Sequence, residues 1–569
     1  MMLKRWVLRE ADEASVSNLS QALQLQPLIA RLLATRGLAD PDLARRFLSS
    51  SLRSDLPSPF LMTGMERAAE RLADAVARRE LVCVWGDYDV DGTTGTATLV
   101  CFLKEIGSEP IYYIPHRIDE GYGLNAEGIE QLHARGVRVV VSVDCGISNY
   151  HEVELARSLG MDVIVVDHHQ PPSPLPPALA IINPHQPGCA FPDKGLCGAG
   201  LAFYLVVGLR AKLRDAGRFN GAEPDVRNCL DIVTLGTIAD MVPLRGVNRV
   251  LTRRGLEVLG GSTRPGIVAL KQIARLPAGE TTAGQVGFRL GPRINAAGRM
   301  DAALKVVQML TTDSAAEAEK IAGELDGHNR ERQATEAEVL EQALEQAGAE
   351  IGARYSLVLS QEGWHPGVLG IVASRVVERF HRPTVIVGFH DGQGKGSARS
   401  IRGFHMVEGL RGCADCLEKF GGHEYAGGLT IRREKFAAFA ERFEAMARQA
   451  LAPEDLTPLV EIDAPLDFAD IGAGLMKQLE ELEPFGIGNP EPLFMTRGVE
   501  IAERKTIKGG ARFKLSQAGR TIGAVAFGLD GKLPEAPRSK IDIVYKLSEN
   551  EWNGTYAIEL RLIDGKPSA

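Results

Sequence analysis

The residues best suited to chemistry in this chain of 569 are aspartates and histidines standing directly after apolar runs. LVCVW (81–85) leads into GDYDVDG, with Asp87, Asp89 and Asp91. VRVVVSV (137–143) leads into Asp144, and MDVIVV (161–166) into Asp167, His168 and His169. TLGTIADMVPL places Asp240 in an otherwise apolar run that reads as helix. One aspartate at a strand end is usually a helix cap or turn former. Several on separate strands are different, because hard oxygen ligands with imidazole suit Mg²⁺ or Mn²⁺. The carboxylates suffice for two ions ~3.5–4 Å apart, an arrangement that serves phosphoryl displacement.

Elements must bring these groups together. The three runs are apolar on both faces, as buried parallel strands are, and helical patterns lie between them. Strands of an open parallel sheet end at one edge, where ligands bind. Gly86 and Gly92 are expected to permit tight turns, and Thr93 and Thr94 to cap the following helix. The loop has no GK[ST] and is not a Walker motif.

Around this α/β region the first 64 residues read as a helical arm, and 311–350 as one long acidic connecting helix. Residues 351–450 form a second α/β pattern, with strands at 355–360 and 383–389 and a helix at 369–380. Residues 455–569 show alternating runs such as TIGAVAF and TYAIELRLI, the pattern of a small all-β barrel of the OB type.

Charge fits a polyanion partner once its distribution is considered. The net charge is -8, but residues 311–350 alone hold 11 acids and 3 bases, leaving 62 of each elsewhere. Residues 501–520 carry six bases, among them Lys505, Lys508, Arg512 and Lys514, against Glu503. Eight scattered cysteines exclude a disulfide framework, and the single CxxC, Cys413 and Cys416, lacks a second pair to complete a zinc site. The longest apolar run, 199–209, is 11 residues, short of the ~18 of a membrane helix. The N-terminal residues lack a signal-peptide core, so a cytoplasmic protein is expected.

DYDVDG, VDCG, VDHH and GTIADMVPL resemble the successive motifs of the DHH phosphoesterase superfamily. GPRINAAGRM (291–300), GWHPGVLGIVASR, GKGSARSIRGFH and GGHEYAGG resemble the RecJ-type single-strand-specific exonucleases within it, over about 65–430. PFGIGNPEPLF (484–494) resembles the lead-in to their OB domain. The resemblance implies a DHH catalytic domain at 65–310, a connecting helix, a DHH-associated substrate-binding domain at 351–450 and an OB domain at 455–569. It implies a monomeric two-metal 5′→3′ exonuclease for single-stranded DNA, active in repair and recombination. Asp89, Asp91, Asp144, His168 and Asp240 are its expected metal ligands. His169 is expected as a ligand or phosphate contact, and Asp87 as a possible completion of the first ion's shell. The pyrophosphatase branch has histidine where this chain has Trp85, which disfavours that activity. Arg117, Arg293 and Arg299 are expected to bind the 5′ phosphate beside Asn295, although a salt bridge is the plain alternative for any one of them. Ser397, Arg399 and Arg402 are expected on a Gly-rich phosphate cradle, His423 beside glycines that allow close backbone approach or else as a core histidine, and Trp364 and His365 either stack on bases or pack. The family suggests single-strand binding protein and a RecQ-type helicase as partners. Two alternatives stand: a phosphodiesterase for short oligonucleotides or cyclic dinucleotides, and a non-catalytic single-strand binder.

Overall fold

The computed structural model describes residues 4–117, 119–219, 221–299, 302–529, 532–534, 538–552 and 555–568. The chain divides into two compact units: Ala11–Asn329 with Ala473–Glu491, and Met1–Glu10 with Arg330–Gly472 and Pro492–Ala569.

The first unit is built on a five-stranded sheet. Its strands are β1 (Leu81–Gly86), β2 (Ile111–Tyr113), β3 (Val137–Val143), β4 (Asp162–Val166) and β5 (Ala180–Ile182). All pairings are parallel, in the order β2-β1-β3-β4-β5. The order in which the chain adds strands reverses between β1 and β3, which makes their C-terminal ends the switch point of the sheet. Both faces are covered. Val82, Val84, Val139, Val141 and Val143 pack in one core. Cys83, Trp85, Val140 and Val163 pack in another. This is why the runs are continuously apolar rather than alternating.

Five helices of this unit matter to the site: α1 (Val90–Glu105), α2 (Gly198–Asp215), α3 (Leu230–Ala239), α4 (Gly246–Gly260) and α5 (Gly291–Arg299). The acidic segment forms α6 (Ala315–Glu350), and α7 (Ala473–Glu480) returns to this unit from far along the chain. By its contacts, Ala473–Glu491 groups with this unit rather than with the strands on either side of it in sequence.

The second unit holds a mixed sheet and a barrel. The sheet strands are β6 (Leu357–Glu362), β7 (Thr384–His390), β8 (Gln393–Arg399), β9 (Lys419–Gly422) and β10 (Ala426–Arg432), ordered β9-β10-β8-β7-β6. Only β6 and β7 run parallel. The barrel comprises β11 (Phe494–Ile507), β12 (Gly510–Gln517), β13 (Arg520–Phe527), β14 (Lys540–Trp552) and β15 (Thr555–Pro567). Pairing of β11 with β14 closes it.

The helical arm also needs correction. Helices occupy Glu13–Leu23, Pro27–Thr35 and Pro41–Ser49, but Arg5–Leu8 is a strand, parallel to Leu459–Ile462. The Trp6 indole donates to Asp564 at 2.9 Å, and Arg9 pairs with Glu461 and Asp463. Four residues are too few for periodicity to reveal this strand.

Candidate metal centre

Asp89 caps α1, its side chain accepting the Gly92 N–H at 2.9 Å. Thr93 and Thr94 do not cap, contrary to expectation. Both lie inside the helix and donate back to the carbonyls of Asp89 and Val90. Gly92 does not turn the chain either; a Cβ there would stand 2.6 Å from the Asp87 nitrogen. Its missing side chain lets the loop fold onto the helix start.

Asp91 lies in the first turn of α1 and accepts the N–H groups of Gly198 and Ala199 at the start of α2. Backbone donors at a helix N-terminus favour a carboxylate there. Gly198 has no room for a Cβ, which would fall 2.7 Å from that of Asp144. Asp144 itself has φ +62°, a left-handed conformation that costs a non-glycine residue free energy and marks functional sites. Its N–H bonds to Val166 O at 2.9 Å, so the end of β4 fixes the strained turn.

The other strand and helix ends complete the cluster. His168 Nε2 lies 3.1 Å from Asp144 Oδ1, 3.8 Å from Asp240 Oδ2 and 3.9 Å from Asp91 Oδ2. Asp240 is the C-cap of α3. Among the described residues three groups have ligand atoms within 4.8 Å of one another: Asp87, Asp89 and Asp144; Asp91, His168 and Asp240; and Asp144, His168 and His169. Asp144 belongs to two of them.

The electrostatics test whether cations fit. Asp87 Oδ1, Asp144 Oδ1 and Asp240 Oδ2 are buried and accept no hydrogen bond. A buried charge without a partner is costly, and a divalent cation is the partner these oxygens suit. Burial, then Asp89, pushes the Asp87 carboxyl up to about 8. Burial, then Asp91 and Asp89, pushes Asp240 up to about 9. Asp144 is raised well above the usual range by burial and by Asp91. Carboxylates so crowded hold protons unless positive ions replace them. Asp167 behaves oppositely. Burial raises it, but bonds from His169 and from the Ile147 N–H outweigh that and hold it low. Its Oδ1 lies 2.7 Å from His169 Nδ1 and raises the imidazole's affinity for a proton. A proton on Nδ1 leaves the Nε2 lone pair for a ligand role.

A cavity of about 330 Å³ opens onto the cluster, lined also by Tyr88, Arg117, Tyr122, Asn295 and Gly298. The Arg117 guanidinium stands over the Tyr88 ring at 4.9 Å. Its acidic neighbours are otherwise engaged: Asp119 pairs with His116 at 3.0 Å, and Glu120 accepts from the Tyr113 hydroxyl. Tyr122, which sequence reasoning missed, donates its hydroxyl to Asp144 O at 2.9 Å. A lone tyrosine in a Gly-containing loop carries no spacing signal. Trp85 is fully buried, stacked on Tyr113 at 4.1 Å.

The structure does not bring every predicted residue to this cavity. Arg293 takes the salt-bridge alternative: it pairs with Asp326 at 2.9 Å, donates to Arg289 O and does not line the cavity. The side chain of Arg299 lies outside the described residues. Ser397 and Arg399 lie on β8 in the other unit, where Arg399 donates to Ser397 Oγ at 3.2 Å. Arg402 is exposed, 3.4 Å from Glu461, and His423 sits between β9 and β10. Trp364 packs rather than presenting its ring: it is buried, its N–H on Gln342 Oε1 at 2.7 Å. His365 caps the helix Pro366–Phe380. Cys413 and Cys416 are buried free thiols. On the barrel, Lys505 and Arg512 are exposed and directly opposed across β11 and β12, while Lys514 pairs with Glu503 at 2.7 Å. Lys508 lies exposed in the turn between those strands.

A parallel sheet delivers carboxylates and imidazoles to one edge, the arrangement of a metal-dependent α/β phosphoesterase site. The DHH family N-terminal domain matches residues 81–237 and the DHHA1 domain residues 352–449. The RecJ OB domain matches residues 462–564. The chain is 39% identical over 571 residues to the single-stranded-DNA-specific exonuclease RecJ of Escherichia coli, covering 97% of each. It is similar to the crystal structure of Thermus thermophilus RecJ in complex with Mn²⁺, at TM-score 0.84 and 34% identity, over 99% of this chain and 80% of that one. The Mg²⁺ complex of that protein matches at TM-score 0.79 and 32% identity, over 99% and 79%. The chain belongs to the RecJ family.

Proposed function

We propose that the chain is a 5′→3′ exonuclease that degrades single-stranded DNA with two Mn²⁺ or Mg²⁺ ions, in DNA repair and recombination. The observation that carries this reading is the set of buried carboxylate oxygens with no hydrogen-bond partner, on three converging segments. Asp87, Asp89 and Asp144 would hold one ion, and Asp91, His168 and Asp240 the other, with Asp144 also grouped with His168 and His169. When bound, the ions lower the pKa of water and screen the charge that develops on the phosphate. The chain's own residues do the rest. Asp167 keeps the proton on His169 Nδ1 and orients the ring. Tyr122 braces the strained Asp144 through its carbonyl. Arg117 at the cavity wall grips the terminal 5′ phosphate, as charge-assisted bonds favour. Ser397, Arg399, Arg402 and His423 form the substrate cradle of the second unit. Lys505, Lys508, Arg512 and Lys514 draw in the strand.

The decisive experiment digests 5′-phosphorylated 40-mers, single against double stranded and DNA against RNA, with Mn²⁺ or Mg²⁺. Stepwise mononucleotide release from single-stranded DNA alone is expected. Cleavage restricted to di- to pentanucleotides would favour the small-substrate phosphodiesterase instead. The proposal extends to a cytoplasmic monomer that works with single-strand binding protein and a RecQ-type helicase, for which co-purification and gel filtration are the tests. Among the described residues no helix is long and apolar enough to cross a membrane.

A further inference from the structure

The segment 481–491 contains the GIGNPE stretch and is not part of the barrel. Its backbone is gripped by arginines of α4. Arg249, 1% exposed, donates to the carbonyls of Leu482 at 2.9 Å, Glu483 at 2.8 Å and Glu481 at 3.1 Å, and to that of Phe47 at 2.7 Å. Arg253 adds a bond to Glu481 O, and Arg36 one to Pro490 O. Asn489 is fully buried and donates to Leu482 O and Pro484 O, closing the segment on itself. Gly486 and Asn489 exchange backbone hydrogen bonds and form a tight turn.

That turn docks on the loop that follows Asp240. The Leu244 N–H donates to Ile487 O at 2.7 Å, and Arg245 Nε to Gly488 O at 2.6 Å. Gly488 has φ +74°, and a Cβ there would lie 3.0 Å from that of Pro243. A Cβ on Gly486 would meet Leu244 Cδ1 at 2.7 Å. The loop therefore has two anchors: α3 at the Asp240 end and the 486–489 turn at the other. Between them Met241 sits at φ +61° and is 65% exposed, so neither backbone preference nor packing at that residue holds Asp240. Asp240 Oδ2 is buried with no hydrogen-bond partner. Its backbone N–H bonds to Gly236 O at the end of α3, and the chain beyond it is held at Leu244 and Arg245 by the turn.

We propose that the 486–489 turn is a positioning element for Asp240: a segment from the far end of the chain sets the aim of a metal ligand. The proposal rests on the reading of Asp240 as a ligand. Groups that orient metal ligands typically alter metal affinity by roughly 10- to 100-fold when removed.

The test uses the full-length chain and Mn²⁺ titration followed by electron paramagnetic resonance. Gly488→Ala should weaken one of two Mn²⁺ ions about 10-fold and leave the other unchanged. Arg245→Leu, at an exposed side chain, should shift the same ion in the same direction by less. Hydrolysis by both should fall at limiting Mn²⁺ and recover at excess Mn²⁺, which a fault in DNA binding would not do. Asp240→Asn is the control. If Asp240→Asn loses an ion while Gly488→Ala and Arg245→Leu bind both ions as wild type, the positioning role is overturned and the ligand stands. If Asp240→Asn binds both ions normally, the ligand reading fails and the proposal with it. Should Gly488→Ala not fold, Arg245→Leu decides alone.

Discussion

Replacing Asp144 by asparagine removes a charge but keeps a side chain that tolerates φ +62°. The expected result is a folded protein whose hydrolysis falls by well over ~10²-fold, because two ligand groups share this residue. Wild-type turnover by the purified variant would remove Asp144 from the site. The carboxyls also make a pH prediction. Asp87 and Asp240 are pushed up to about 8 and about 9 in the folded protein. In the unfolded chain they titrate near about 3.9. The folded, metal-free protein thus binds more protons across that interval, so its stability declines as pH rises from about 4 toward 8–9. Melts in chelator should show the melting temperature falling over this window, and the gain on adding Mn²⁺ growing with pH. A gain that shrinks with pH would contradict the carboxylate account. For Arg117→Ala, removal of a charge-assisted bond to phosphate should slow capture of 5′-phosphorylated strands by roughly 10- to 150-fold. Rates on 5′-hydroxyl strands should barely change. An unchanged ratio between the two ends would move end recognition to residues 397–402.

At the scale of elements, like charges directly opposed across two strands destabilise a sheet, as Lys505 and Arg512 are across β11 and β12. A bound polyanion turns that cost into affinity. The double variant Lys505→Glu, Arg512→Glu should bind single-stranded DNA more weakly. Its log–log salt slope should be shallower by roughly 0.7 for each phosphate the barrel no longer neutralises. An unchanged slope would take the barrel face out of DNA binding. The elements also differ in how openly the sequence announces them. The edge of the β1–β5 sheet is legible because buried parallel strands are apolar throughout and end abruptly in aspartate or histidine. The docking of 481–491 on α4 is not, because its acceptors are backbone carbonyls and leave no side-chain signature. Arg293 misleads for a related reason. Its partner Asp326 lies 33 positions away on α6, and no local pattern links them.

For the molecule as a whole, two compact units with separate cores should unfold in two calorimetric transitions. Mn²⁺ should raise only the transition of the unit holding the metal cluster, because a ligand stabilises what binds it. A single transition, or equal shifts in both, would mean the units melt as one cooperative body.

The strand Arg5–Leu8 finds its partner only at Leu459–Ile462, and Arg9 pairs with Glu461, 452 positions on. During synthesis at ~5–20 residues per second, the N-terminal strand therefore waits roughly 20–90 s on the ribosome before its partner exists. The unit with the metal cluster waits longer still for Ala473–Glu491. A nascent chain stalled before residue 459 should expose its first residues to protease, and one stalled well beyond 491 should protect the loop after Asp240. The order of translation is thus written into the fold: the unit with the metal cluster is completed at Glu491, before the barrel strands of the other unit have been made.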